Sequence, residues 1–220
     1  MTTAIILAGG LGTRLRETVP DLPKPMAPIH GRPFLEFQMD YWIKEGVQKF
    51  IISVGYLYQI IIDHFGSCYE GIPVEYVIEK TPLGTGGGML IAAKDVNEPF
   101  LLLNGDTFFE VNLESLLKFH HNKNSDWTLS LFRTDDVVRY MGMDVSKEGR
   151  ILSLKSDNKR SDQLANGGVY LVNPSVLKQF DPQSGIKLSL EDGILPTILN
   201  TNAVVSGMEC KGNFIDIGVP

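Results

Sequence analysis

The chain has 220 residues, 43% of them hydrophobic, with a formal net charge of −6 and two cysteines, Cys68 and Cys210. That length suits one large domain or two intimate halves around a continuous core, and its apolar runs are too short to span a membrane. The acidic balance disfavours broad nucleic-acid binding, and two cysteines without framework or metal spacing, with no secretory leader after Met1, point to a reducing cytoplasm.

In chain order, residues 4–8 are uniformly apolar and predict a buried strand, and Phe34, Leu35, Met39, Trp42 and Ile43 have helical spacing over 34–45. A second strand is expected at 49–54. A helix follows at 58–65 with Gly66 as its stop signal. A third strand at 74–78, a helix at 87–94 and a fourth strand at 100–103 complete a β/α alternation. Such alternation implies a parallel sheet covered by helices on both faces. The second half changes character: strands are expected at 127–133, 143–145, 151–155 and 168–172, the middle pair joined by a hairpin turn at 146–150, with a helix at 190–199. The chain therefore reads as one domain with two lobes, a nucleotide-binding lobe at 1–110 and a mixed lobe at 111–220.

The first strand runs straight into Leu7-Ala8-Gly9-Gly10-Leu11-Gly12-Thr13-Arg14-Leu15. Glycines there let backbone approach a ligand, and successive amide N–H groups can cradle phosphate oxygens. It is neither a dinucleotide fingerprint, because position 15 is Leu15, nor a P-loop, because no Gly-Lys-Ser/Thr ends it. Arg14, and Lys24 between Pro23 and Pro25, supply positive charge instead, the prolines limiting how the ammonium is presented. A second glycine-rich stretch, Glu79-Lys80-Thr81-Pro82-Leu83-Gly84-Thr85-Gly86-Gly87-Gly88, follows the third strand. It could let a flat base lie against backbone, or could simply be a glycine-rich helix start. Asp106, after Asn104-Gly105 at the end of the fourth strand, and Asp216, after Phe214-Ile215, are candidate metal carboxylates or else turn and cap residues. His120-His121 has no ligand geometry, since neighbouring side chains point apart, and is expected to be structural or on the surface.

The run Gly9-Gly10-Leu11-Gly12-Thr13-Arg14-Leu15 followed by Pro23-Lys24-Pro25 resembles the signature of the sugar-1-phosphate nucleotidyltransferases. That resemblance implies a Rossmann-like three-layer α/β sandwich with a mostly parallel central sheet. It also implies transfer of a nucleotidyl group from a nucleoside triphosphate to a sugar 1-phosphate with release of pyrophosphate. Arg14, Lys24 and Asp106 would be catalytic. Leu7, Ala8, Gly9, Gly10, Gly12, Thr13, Arg14, Lys24 and Glu79 would hold the nucleotide together with Pro82, Leu83, Gly84, Thr85, Gly86, Asn104 and Gly105. Asp106, Lys155, Asn166, Gly167 and Glu191 would hold the sugar phosphate, and Asp106 with Asp216 a Mg²⁺ ion. Lys155 departs from the family's usual Glu-Lys-Pro, standing in Leu154-Lys155-Ser156, and without the family Ser189 reads as a helix cap over Asp192. From residue 2 onwards the resemblance is strongest to members acting with GTP on D-glycero-α-D-manno-heptose 1-phosphate. Other bases, the 1-phosphates of mannose, glucose or N-acetylmuramic acid, and a non-catalytic regulator that binds sugar nucleotides remain open; no nucleic-acid or membrane partner is expected, and the sequence does not speak to oligomeric state.

Overall fold

The computed structural model describes residues 1–10, 21–156, 161–181 and 186–217. The strands are β1 (Thr3–Ala8), β2 (Pro28–Ile29), β3 (Arg32–Pro33), β4 (Lys49–Val54), β5 (Cys68–Tyr69), β6 (Ile72–Ile78) and β7 (Phe100–Asn104), then β8 (Thr107–Phe109), β9 (Trp127–Thr134), β10 (Asp144–Val145), β11 (Ile151–Ser153), β12 (Gln163–Val172), β13 (Val205–Glu209) and β14 (Phe214–Asp216). The helices are α1 (Phe34–Lys44), α2 (Tyr58–Phe65), α3 (Gly84–Ala92), α4 (Leu113–Asn122) and α5 (Leu195–Leu199).

One eight-stranded sheet runs β13-β9-β12-β7-β1-β4-β6-β5. β7, β1, β4 and β6 are mutually parallel, β12 is antiparallel to both its neighbours, and β13 returns parallel to β9. The middles of β1, β4 and β7 are apolar because both faces are covered. Ala4, Ile6 and Ala8 join Leu35, Met39, Trp42, Leu101, Leu103, Leu113 and Leu116 in one core, under α1, α2 and α4. Ile5 points the other way, to Met89, Leu102, Trp127, Tyr170, Ile194 and Ile198, under α3 and α5. The period-2 alternation of a strand thus feeds two cores from one segment, and each large apolar side chain fully removed from water contributes about 1.5–3 kcal/mol. This is the three-layer α/β sandwich expected of the sequence.

β1, α1, β4, α2, β6 and β7 fall close to where the periodicity puts them, α2 ending at Gly66 with φ 59°, while the short strands β2, β3, β5 and β8 were not anticipated and α3 starts early. The second half departs further from the periodicity, and the sheet strand β13 was not anticipated. α4 was not anticipated; Asn112 caps it, accepting from Ser115 N at 3.0 Å, and Leu113, Leu116 and His120 form its buried stripe. β12 begins at Gln163 rather than at Gly168. The helix expected over 190–199 is split into one π turn, Leu190–Ile194, and α5, with Pro196, which has no N–H to donate, in the first turn of α5. His120 is structural, as expected: its ring meets Thr128 Oγ1 at 2.8 Å and Asn173 Oδ1 at 3.3 Å, and His121 is exposed. Among the described residues no helix is long and apolar enough to cross a membrane.

Candidate active site

The chain lays down β1, β4 and β6 in one direction, then returns to place β7 on the other side of β1. In open α/β sheets the ligand crevice lies at that reversal, beyond the carboxyl ends of the strands. Three expected segments converge there, Gly9-Gly10 after β1, Glu79–Gly86 after β6 and Asn104–Asp106 at the end of β7, and Gly55 after β4, which was not anticipated, joins them. Gly12, Thr13 and Arg14 lie outside the described residues.

Backbone meets backbone at this crevice. Gly105 N donates to Leu7 O at 3.1 Å, and a Cβ on Gly105 would stand 2.5 Å from that oxygen. A Cβ on Gly55 would stand 2.7 Å from Gly9 O. Glu79 ties the next loop to the same place: its carboxylate accepts from Ser53 Oγ at 2.8 Å and Leu83 N at 3.1 Å and rests against Gly9 and Gly88. The small residues of the second glycine-rich stretch also serve the chain itself. Gly84 has φ +75°, and a Cβ on it would lie 2.6 Å from Leu188 O. Gly86 N donates to Leu188 O at 2.9 Å, and Thr85 Oγ1 accepts from Leu190 N at 2.9 Å. The helix α3 starts at Gly84, three residues before its expected start at Gly87, so Gly84, Thr85 and Gly86 form its first turn, and their smallness lets residues 188–190 pack there; Pro82 and Thr85 are exposed.

The charged groups sit at the β7 end. Lys24, in a 3-10 turn Lys24–Met26 between two prolines, places Nζ 2.5 Å from Asp106 Oδ2. Asp216 arrives on β14, where it pairs across the ladder with Thr107, while Ile217 N donates to Asp106 O at 3.1 Å. The two acidic residues are therefore neighbours in backbone, and each carboxylate has its own cation: Asp106 has Lys24, and Asp216 has Arg139, whose Nη2 lies 3.3 Å from Asp216 Oδ2 and 3.3 Å from Asp216 O. No cluster of three or more metal-capable His, Cys, Asp or Glu side chains occurs among the described residues. A pair of carboxylates balanced by organic cations is nonetheless a suitable donor set for Mg²⁺, which takes one or two protein carboxylates and completes its shell with phosphate and water oxygens.

The sugar-side residues meet through a bulge. Between the pairs Asn166–Leu131 and Tyr170–Leu129, β12 spends three residues, Gly167 to Val169, where β9 spends one, Ser130. Such a bulge bends a strand and re-aims its side chains. Here it sets Gly168 at φ +73° and turns Asn166 towards Tyr170 Oη (2.6 Å) and Glu191 Oε1 (3.2 Å). Gly167 packs on Phe109 where a side chain would collide with the ring. Tyr170 is fully buried, and burial followed by the charge of Glu191 pushes its phenol pKa far up, so it stays protonated. Glu191 lies on the π turn, whose start is capped by Ser189 Oγ accepting from Asp192 N at 3.1 Å. Its outer edge is exposed, yet its carboxyl lies in a crowded hollow, and that desolvation raises its pKa, helped by Asp192 and Asp106 against an Asn166 hydrogen bond and the charge of Lys155. Lys155 is exposed and reaches Asp192 Oδ1 at 3.0 Å, beside Glu191. Gln38, Ser53, Arg139 and Tyr170 join this site without having been singled out from sequence; a lone polar residue in an apolar helical stripe, as at Gln38, was the one visible sign.

Residues 3–220 match the family model described as nucleotidyl transferase. The chain is 39% identical over 217 residues to a D-glycero-alpha-D-manno-heptose 1-phosphate guanylyltransferase of Campylobacter jejuni, covering 99% of this chain and 95% of that protein. It is 39% identical over 219 residues to the protein of the same name from Aneurinibacillus thermoaerophilus, covering 99% and 93%. Among solved structures, HddC from Yersinia pseudotuberculosis superposes with a TM-score of 0.87 at 34% identity, covering all of this chain and 95% of that one, and has also been solved complexed with GMP-PN.

Proposed function

The chain belongs to the nucleotidyl transferase family, and we propose that it is a guanylyltransferase that joins GTP to D-glycero-α-D-manno-heptose 1-phosphate, giving GDP-heptose and pyrophosphate. Full-length similarity to relatives bearing that name supports the substrates. The observation that carries the chemistry is the meeting of Lys24, Asp106 and the Asp216 strand at the switch point beside the glycine loop.

An oxygen of the sugar phosphate attacks the α-phosphorus in line with the departing pyrophosphate. A phosphate monoester has a second pKa of about 6, so the nucleophile is already ionised and needs no general base. The barrier is repulsion between anions: two unit charges about 4 Å apart cost about 1 kcal/mol in water and about 4 at an effective dielectric of about 20. Lys24 would answer part of it by moving its ammonium from Asp106 to phosphate oxygen, and the amides of Gly9 and Gly10 would add donors to the same anion. Asp106 and Asp216 would hold Mg²⁺, which when bound neutralises phosphate charge and orients the reactants. Asn166 and Glu191 would accept and donate at the sugar, with Lys155 at the rim near its phosphate. The overall acidity of the chain does not oppose this, because the local field governs the encounter. Cys68 and Cys210 are free thiols, in keeping with a cytoplasmic setting.

The test is a matrix of nucleoside triphosphates against sugar 1-phosphates in Mg²⁺, scored by pyrophosphate release. GTP with the heptose phosphate should be the best pair, and a folded Asp106→Asn variant should lose about 10–100-fold of that rate or more. Release with no pair at all would sink the proposal, and preference for another pair would replace the base or sugar assignment.

A further inference from the structure

We infer that Gln38 is a positioning residue of the acidic turn: its buried amide clamps the backbone on either side of Asp106 and so fixes where that carboxylate meets a divalent cation and phosphate. This rests on the metal role proposed for Asp106.

Gln38 lies on the core-facing stripe of α1 with Phe34, Leu35, Met39 and Trp42, and is 1% exposed. A long amide in an apolar stripe is a costly choice where an apolar residue of the same length would fill the space. Its Nε2 donates to Asn104 O at 2.9 Å and to Thr107 O at 2.9 Å. These carbonyls close β7 and open β8, and Gly105-Asp106 is all that lies between them. Two acceptors converging on one nitrogen fix the orientation of the amide, since only its NH₂ end can donate. Oε1 is then left buried without a hydrogen-bond partner among the described residues. A side chain kept for volume alone would not carry that penalty, whereas one kept for its two donated bonds must.

Two backbone hydrogen bonds also hold the turn, Gly105 N donating to Leu7 O and Ile217 N to Asp106 O. Those join it to β1 and to the segment after β14, which carry the glycine loop and Asp216. Gln38 adds the third point, from the helix layer, and makes the turn rigid. Without it two part-buried carbonyls lose a donor at once, and the turn relaxes around Gly105. Displacing a reacting group by about 1 Å can cost about 100-fold in rate, and residues that orient metal ligands typically govern about 10–100-fold in affinity or activity.

The experiment compares wild type with Gln38→Met, which keeps length but donates nothing, and Gln38→Asn, which is one methylene too short to reach both carbonyls. Met39→Ala, a core truncation beside it on α1, serves as the stability control. For each, kcat and both KM values are measured by pyrophosphate release, Mn²⁺ affinity of the free enzyme by electron paramagnetic resonance, and folding by circular dichroism. Gln38→Met should lower kcat about 10–100-fold and weaken Mn²⁺ binding about tenfold or more, with both KM values within about threefold of wild type. Gln38→Asn should fall between Gln38→Met and wild type. Met39→Ala should melt lower yet keep kcat and Mn²⁺ affinity. A folded Gln38→Met or Gln38→Asn with wild-type kcat and Mn²⁺ binding would overturn the inference. So would unfolding of both, because the side chain would then serve the fold rather than the turn. If wild type transfers no nucleotide at all, the proposed function fails, while the Mn²⁺ measurements still decide the role of Gln38.

Discussion

Glu191 shows how a single side chain can trade stability for a site. Burial, Asp192 and Asp106 hold its carboxyl above the usual carboxylate value in the folded chain. Between the unfolded and folded pKa values the native state binds more protons than the unfolded one, so stability falls as pH rises through that window. The favourable contribution is fully present below the unfolded pKa and is gone above the folded one. Glu191→Gln should therefore melt close to wild type at about pH 4 and increasingly above it as pH rises through the folded pKa of Glu191, while its KM for sugar phosphate rises. Melting curves across that range check it; a gap that stays constant or closes with rising pH would show that the carboxylate bears no such cost. At this scale the sequence marked chemistry better than partnership. Lys24, Asp106, Asn166 and Glu191 were legible as residue types in telling places; Lys24 meets Asp106, and Asn166 meets Glu191. Gln38 and Arg139 were not, because their importance comes from a turn and a strand more than 60 positions away along the chain.

Among the elements, β12 is the one whose shape the site depends on. The strand was expected to start at Gly168, with Asn166-Gly167 beside it, yet it already runs through these residues and absorbs the glycines in a bulge. Gly168 sits at φ +73°, where a Cβ would stand 2.6 Å from Thr107 Oγ1 and 2.8 Å from Asn104 Nδ2. Gly168→Ala should thus cost about 1–3 kcal/mol of stability and push the bulge off the Asn104–Thr107 turn, raising KM for sugar phosphate through Asn166 while leaving nucleotide binding nearer to wild type. Chemical denaturation and substrate titration test both parts; an alanine variant of unchanged stability would mean that the bulge is soft. The same local logic explains which elements were legible. α1, α2 and the parallel strands carry their period in long apolar runs. The π turn was hidden because it depends on the registration of Ser189 with Ile194 and Gly193, not on any pattern of apolar residues.

For the molecule as a whole, two lobes in sequence do not make two units in folding. The sheet passes without interruption from β6 and β4 through β1 and β7 into β12, β9 and β13. Both cores draw on both halves of the chain: Leu35 and Trp42 share one with Leu113, Ala165 and Leu171, and Ile5 and Met89 share the other with Trp127, Tyr170 and Ile198. Neither half could expose its edge of the sheet without stripping cover from the other. We therefore propose one domain, and expect a single cooperative transition despite its 220 residues. The two tryptophans make this measurable, since Trp42 is 1% exposed in the first core and Trp127 fully buried in the second. Trp42→Phe and Trp127→Phe each leave one reporter, and each replacement is a large-to-smaller change that shifts the midpoint. Within either variant, fluorescence and far-ultraviolet circular dichroism should give superimposable urea curves with equal midpoints and slopes. A reporter that moves ahead of the circular dichroism signal in one variant alone would mean that its core opens by itself, and that the lobes at 1–110 and 111–220 are separate folding units held together only by the contact between β7 and β12.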